Sequence, residues 1–195
     1  ASASRNVYTV LPDGRIVAFA VENADLLSPY LNTADPAGLI QFVRAQPLGA
    51  IIGSTPATLD PPSLDPPPDR DYPAFATGLA ARRSMIFVGA NDGMLHAIET
   101  STGTEKWAYI PRNLLSKLKN NRSDANAVQD FAAVDASPSV WDIYFDRDGD
   151  GSKEWRTILA CAQGLGGKSI FVLDVTDPDA WSVLGEVTDT TDPGG

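Results

Sequence analysis

Three carboxylates stand at alternate positions in one short run, Asp146, Asp148 and Asp150, with Gly151 next and Glu154 closing the run. Side chains at the first, third and fifth places of such a loop point inward around one hard cation. A glycine at the sixth place permits the sharp turn that brings the carbonyl of the seventh, here Ser152, into range. An EF-hand puts its bidentate glutamate at the twelfth place, which is Thr157 in this sequence; the acid falls instead at the ninth, Glu154. The run therefore reads as a shortened calcium loop with Asp146, Asp148, Asp150, Ser152 and Glu154 as its ligands and Ca2+ as its ion. The competing reading is a solvated acidic turn, because Asp and Gly favour turns for reasons of their own. Against that, four carboxylates packed so closely repel one another unless a cation sits among them.

The flanks must hold this loop. Residues 140–145 and 155–160 are apolar and aromatic with β-branched members, the pattern of two strands and not of the helices of an EF-hand. Further back, residues 7–20 form a hairpin candidate around Asp13-Gly14, and residues 84–99 a second one around Asn91-Asp92-Gly93. Residues 36–46 carry Leu39, Ile40 and Val43 at helical spacing, with Asp35 as N-cap and Pro36 just inside the start. Residues 48–59 read as a strand, 60–70 as an extended proline-rich loop, and 106–110 as another strand. Residues 111–119 carry Leu114, Leu115 and Leu118 at helical spacing, and the polar run 119–126 reads as a loop.

The second half echoes the first. Residues 133–140 repeat the pattern of 50–57, 156–162 that of 85–90, 166–174 that of 93–99, and 177–181 that of 102–107. Each copy offers four short strands joined by tight turns, the content of one β-propeller blade. The hairpin at the start matches the middle of a preceding copy. The expected organisation is a single-domain fragment. Residues 1–47 hold the hairpin of a preceding blade plus a helix, 48–111 a first full blade, 112–132 a helix and loop, and 133–189 a second full blade with the loop 146–154. Two blades do not close a ring, so the chain reads as a piece of a longer protein.

Other chemistries find little here. The net charge of −10 argues against nucleic acid as a partner, because phosphate binding needs clustered Lys and Arg. No run approaches the roughly 20 apolar residues of a membrane helix. Cys161 is the one cysteine and His96 the one histidine, which reads as a packed or edge side chain and not a general base. Ser137 has no histidine near it in sequence. Gly164 to Lys168 lacks phosphate-loop spacing and precedes a strand. Asp174, Asp177 and Asp179 read as turn residues, and Arg82-Arg83 as a solvated basic pair.

The segment from Met85 to Ala97, through Asn91-Asp92-Gly93, and then Tyr109-Ile-Pro111 resembles the C-terminal propeller of PilY-type proteins, the tip-associated adhesins of bacterial type IV pili. The resemblance continues through 48–56, Asp135-Ala-Ser-Pro138, 155–159, Gly164 to Gly167 and Leu173 to Pro178, covering most of residues 40–180. It implies a mainly β fold: a partial, modified β-propeller of four-stranded blades, related to the quinoprotein dehydrogenase-like repeat, with short helices inserted. It also implies a place at the cell surface or pilus tip, or in the periplasm or at the outer membrane. The role it implies is pilus assembly, retraction control and attachment, with minor pilins, other domains of the same protein, or a host or surface ligand as partners. The family's calcium loop has the form Asp-x-Asp-x-Asn-x-x-x-Asp; this chain departs from it at Asp150 and Glu154. No Arg-Gly-Asp triplet occurs. The second reading is enzymatic, a fragment of a quinoprotein (PQQ-dependent) dehydrogenase-like propeller: residues 102–107 resemble that family's repeat, with Trp107 as its blade-packing tryptophan, but the adjacent Cys-Cys pair of that family is missing. A purely structural repeat module, with calcium as a loop staple, is the third reading.

Overall fold

The computed structural model describes residues 5–121 and 132–189. In chain order it shows strands β1 (Val7–Val10) and β2 (Ile16–Ala18), helices α1 (Ala24–Leu31) and α2 (Pro36–Ala45), strand β3 (Ala57–Leu59) and helix α3 (Tyr72–Gly78). Strands β4 (Met85–Gly89), β5 (Leu95–Glu99) and β6 (Glu105–Ile110) follow, then a 3-10 segment, Arg112–Asn121. The chain continues with β7 (Ser139–Phe145), β8 (Glu154–Ala162), β9 (Ser169–Asp174) and β10 (Ser182–Thr188). The fold is mainly β, in two open sheets. One has six strands in the order β2-β1-β6-β5-β4-β3, the other four in the order β10-β9-β8-β7.

The hairpin expected in a preceding blade is part of the first sheet: β1 pairs parallel to β6, Tyr8 opposite Tyr109. Residues 48–59 do not form one strand; only Ala57–Leu59 pair, against β4. The backbone of the remainder is satisfied by distant side chains instead. Gly49 N–H donates to Asp92 and Ala50 N–H to Asn91, while Gly53 N–H donates to Asp135 and Thr55 N–H to Ser137. The last two contacts both join positions 82 apart, so equivalent points of the two sequence copies touch each other.

Helix α2 starts as its sequence dictates, with the Asp35 carboxylate accepting the Gly38 N–H at 2.9 Å. Helix α1 and helix α3 were not legible in the sequence. The first carries Pro29 inside it and has no side-chain cap. The second is seven residues long and follows a proline-rich run. Leu114, Leu115 and Leu118 are buried as expected, on 3-10 turns. Residues 122–126 of the expected polar loop lie outside the described residues.

The two sheets meet through aromatic side chains. Trp107 of β6 stacks on Trp181 with ring centroids 4.4 Å apart. Its indole N–H donates to the Pro178 carbonyl at 2.9 Å. Tyr109 packs against Phe171 of β9 and against Trp181. Two glycines allow the backbones to close up. A Cβ on Gly89 would stand 2.3 Å from the Val134 carbonyl oxygen, and one on Gly166 2.0 Å from that of Ala133.

Candidate metal site

Strands β7 and β8 pair in full register from Ser139 opposite Ala160 to Phe145 opposite Glu154. The acidic loop is the connection of this hairpin. Gly149 and Gly151 take φ values of +78° and +91°, which a side chain rarely adopts, and so let the chain coil back on itself. Asp146 organises the coil: one carboxylate oxygen accepts the Gly149 N–H and the other the Gly151 N–H, each at 2.8 Å. Asp150 accepts the Ser152 N–H at 2.7 Å. Arg147 fastens the loop to the sheet, donating to Asp174 at the end of β9 at 2.9 Å and to Ser182 Oγ of β10 at 3.0 Å.

The outcome is a convergence of carboxylates. One oxygen from each of Asp146, Asp148 and Asp150 lies within 4.8 Å of the other two, the one such acidic group among the described residues. The N–H of Gly151 holds the Asp146 carboxyl below the usual carboxylate range; desolvation opposes it, and the Gly149 N–H adds to the lowering. Charges of like sign at this spacing repel one another, and a cation among them removes the repulsion. The donor set fits a hard divalent cation. All three groups are carboxylates, and an oxygen that accepts one N–H keeps a second lone pair for a metal.

Glu154, a further expected ligand, stands apart from this trio. Glu154 is the first residue of β8, and its carboxylate is engaged by the Arg156 guanidinium at 2.8 Å. Ser152 contributes its N–H to Asp150 and is exposed. The three aspartates are gathered without Glu154; for it to join them, its side chain has to leave Arg156.

The hairpin is buttressed by residues the sequence reading passed over. The Trp155 indole N–H donates to both oxygens of Asp69, which also caps the start of α3 through the Tyr72 N–H. Tyr72 lies edge-on to Trp155 at 4.9 Å, and its hydroxyl donates to Asp142 of β7 at 2.6 Å. Asp142 also accepts from Thr157 Oγ1, and Thr157 Oγ1 in turn accepts from Arg82. The proline-rich stretch and α3 are thereby strapped across the hairpin that carries the acids. Arg82 and Arg83 are not a solvated pair. Arg82 also donates to the carbonyl of Asp60, and Arg83 pairs with Glu99 and Asp179 at 3.2 Å each. None of these partners is near in sequence, apart from the Asp69 cap, which a turn pattern could have signalled.

Asp174 is buried and held by Arg147, while Asp177 accepts the Asp179 N–H, so these acids serve the turn and the loop anchor. Cys161 is buried on β8, and burial pushes its thiol up to about 12. His96 is fully buried between Asp92 and Glu105. No helix among the described residues is long and apolar enough to cross a membrane.

The family described as the PilY1 beta-propeller domain matches residues 48–194. The chain belongs to that family. The family reached from Met85 to Ala97 and its companion segments is thus the one that matches. A type IV pilus biogenesis factor PilY1 of Pseudomonas aeruginosa is 35% identical over 98% of this chain, an alignment covering 19% of the relative. A PilY1 homolog of Xylella fastidiosa is 41% identical over 64% of this chain and 10% of the relative. The chain therefore spans about a fifth or less of the curated relatives it matches. Among solved structures, the Pseudomonas aeruginosa PilY1 C-terminal domain matches at 35% identity and a TM-score of 0.44, over 63% of this chain and 22% of that one.

Proposed function

We propose that this chain is a non-enzymatic, calcium-binding propeller module of a type IV pilus tip adhesin and biogenesis factor, acting in pilus assembly, retraction control and surface attachment. The calcium reading is carried by the convergence of Asp146, Asp148 and Asp150 to within 4.8 Å at a hairpin tip. The pilus reading rests on membership of the PilY1 propeller family and on relatives whose names describe type IV pilus biogenesis factors. Minor pilins or other domains of the same polypeptide are its partners in this account, with a host or surface ligand at the attached end. It works at the cell surface, at the pilus tip, or in transit through the periplasm and outer membrane. Two potential nucleophile or acid–base groups are spent on structure, since Cys161 is buried and His96 is locked between two acids.

Bound calcium would cancel the repulsion among the three acids and fix a loop that is already tied to β9 and β10 by Arg147. The test is Asp148→Ala in the full-length protein, in its own bacterium. Asp148 is exposed and its carboxylate accepts a long bond of 3.4 Å from Asp150 N–H, so the variant should accumulate normally. Surface pili and surface-associated movement should fall. Normal piliation and movement in a variant shown to have lost calcium would refute the assignment of the loop to pilus function.

A further inference from the structure

His96 is the single histidine of the chain and takes no part in the metal loop. Its Nδ1 lies 2.7 Å from Glu105 Oε2, and its Nε2 lies 3.1 Å from Asp92 Oδ1. An ionised carboxylate only accepts, so the two short contacts favour hydrogen on both ring nitrogens. A neutral imidazole has one N–H and would set a bare Nδ1 lone pair 2.7 Å from Glu105, offset only by Arg5 Nη2 at 3.0 Å. Arg5 completes the cluster. Its guanidinium grips Glu105 with two bonds of 2.9 Å, stands 3.9 Å from Asp92, and donates to the Gln46 carbonyl at 3.2 Å. Asp92 in turn accepts the Gly49 N–H at 3.0 Å and the Met94 N–H at 3.2 Å. Two cations then balance two anions inside the fold. Four separate stretches of chain meet there: the residues before β1, the segment after α2, the β4–β5 turn, and β6.

We infer that His96 is held as the imidazolium of a charge-neutral quartet with Arg5, Asp92 and Glu105, and that this quartet is a proton-operated latch joining residue 5 and residues 46–49 to the first sheet. Burial opposes the cation, but the hydrogen bonds to Asp92 and Glu105, with their charges, outweigh it and raise the imidazole above its ordinary 6.5. Burial likewise pushes the Glu105 carboxyl up, and the bonds from His96 and Arg5 overcome it, holding it at about 2. Lys106, the next residue on β6, pairs with Glu99 at 3.0 Å and stays out of the quartet. When the proton leaves Nδ1 for solvent base, that nitrogen becomes an acceptor facing Arg5 Nη2, 3.0 Å away, and loses Glu105. The quartet is left with one net negative charge. Because the folded value is raised, the stabilising contribution is complete below 6.5 and is lost as pH rises through the folded value. The latch is closed below 6.5 and opens as the pH rises through the folded value.

One histidine means one imidazole signal, so NMR titration of the intact chain reads the group directly. The imidazole should carry both N–H groups below 6.5 and titrate with a midpoint above it, and Glu105→Gln should shift that midpoint down. A midpoint at or below 6.5, or a neutral single-N–H tautomer below that pH, would overturn the imidazolium. Should Glu105→Gln not fold, the wild-type titration decides alone. The latch has its own readout in hydrogen exchange. Protection of the Gly49 N–H should fall through the His96 midpoint, while that of the remote Val175 N–H, bonded to the Thr157 carbonyl, should not. Gly49 protection that is constant across the midpoint would remove the latch.

Discussion

Replacing Trp107 by alanine should separate the two sheets energetically. The side chain is 4% exposed, stacked on Trp181 at 4.4 Å, tilted against Phe87 at 5.7 Å, and bonded through its indole to the Pro178 carbonyl. Truncating a buried tryptophan costs about 3–5 kcal/mol, from lost burial plus the cavity left behind. Orphaning the Pro178 carbonyl adds about 1 kcal/mol where water cannot reach it. Against a total stability of about 5–15 kcal/mol for an ordinary domain, a loss of about 4 kcal/mol is a large part of the whole. Trp107→Phe keeps an aromatic ring but not the N–H, and should cost roughly 1–2 kcal/mol. Trp141 is the internal control: it is 69% exposed on β7, and Trp141→Ala should change stability by less than about 0.5 kcal/mol. Urea unfolding followed by far-ultraviolet circular dichroism measures all three without relying on tryptophan emission. A loss below about 1 kcal/mol for Trp107→Ala, or a loss equal to that of Trp141→Ala, would refute the view that these rings hold the sheets together.

Gly166→Ala should destabilise by about 1–3 kcal/mol or prevent folding, because the new Cβ meets the Ala133 backbone oxygen and not a side chain that can swing away; thermal melts would show it. The Cys161 thiol, 2% exposed and pushed up to about 12 by burial, should stay unlabelled by thiol reagents at mildly alkaline pH until denaturant opens the fold. Glu105 sets an acid-side dependence. Its folded carboxyl is held down at about 2 against 4.5, so its contribution is complete above 4.5 and is lost as pH falls through about 2. Stability curves of wild type and Glu105→Gln should converge in strong acid and diverge as the pH rises to neutral.

How much of this was readable in advance follows from where each signal lies along the chain. Asn91-Asp92-Gly93 marked its hairpin because the turn chemistry is local, and Gly93 does take a φ of +91°. Asp35 and Pro36 marked the start of α2 for the same reason. The apolar run Ala50-Ile51-Ile52 misled. It looks like a strand, but its main chain is satisfied by Asn91 and by residues 82 positions ahead, and Ile52 is exposed. The N-terminal hairpin was legible as a hairpin, whereas its parallel pairing with β6 depends on a partner about a hundred residues away. At the acidic loop, the spacing of Asp146, Asp148 and Asp150 was enough to gather them. Glu154 was read by its place in the run, and its nearest cation, Arg156, sits on the same strand two residues on. The strap of Asp69, Tyr72 and Asp142, and the quartet around His96, join side chains up to 100 positions apart, and no local pattern announces such contacts.

Calcium titration by calorimetry, run on the wild-type chain and on Asp148→Ala side by side, tests the central claim most directly. The account predicts saturable binding of one ion by the wild type and none by the variant, with the circular dichroism of the two proteins the same, because the loop lies outside the core shared by the sheets. Absence of binding by the wild type, or equal binding by both, would contradict it and leave Asp146 to Glu154 as a solvated turn at the tip of a hairpin.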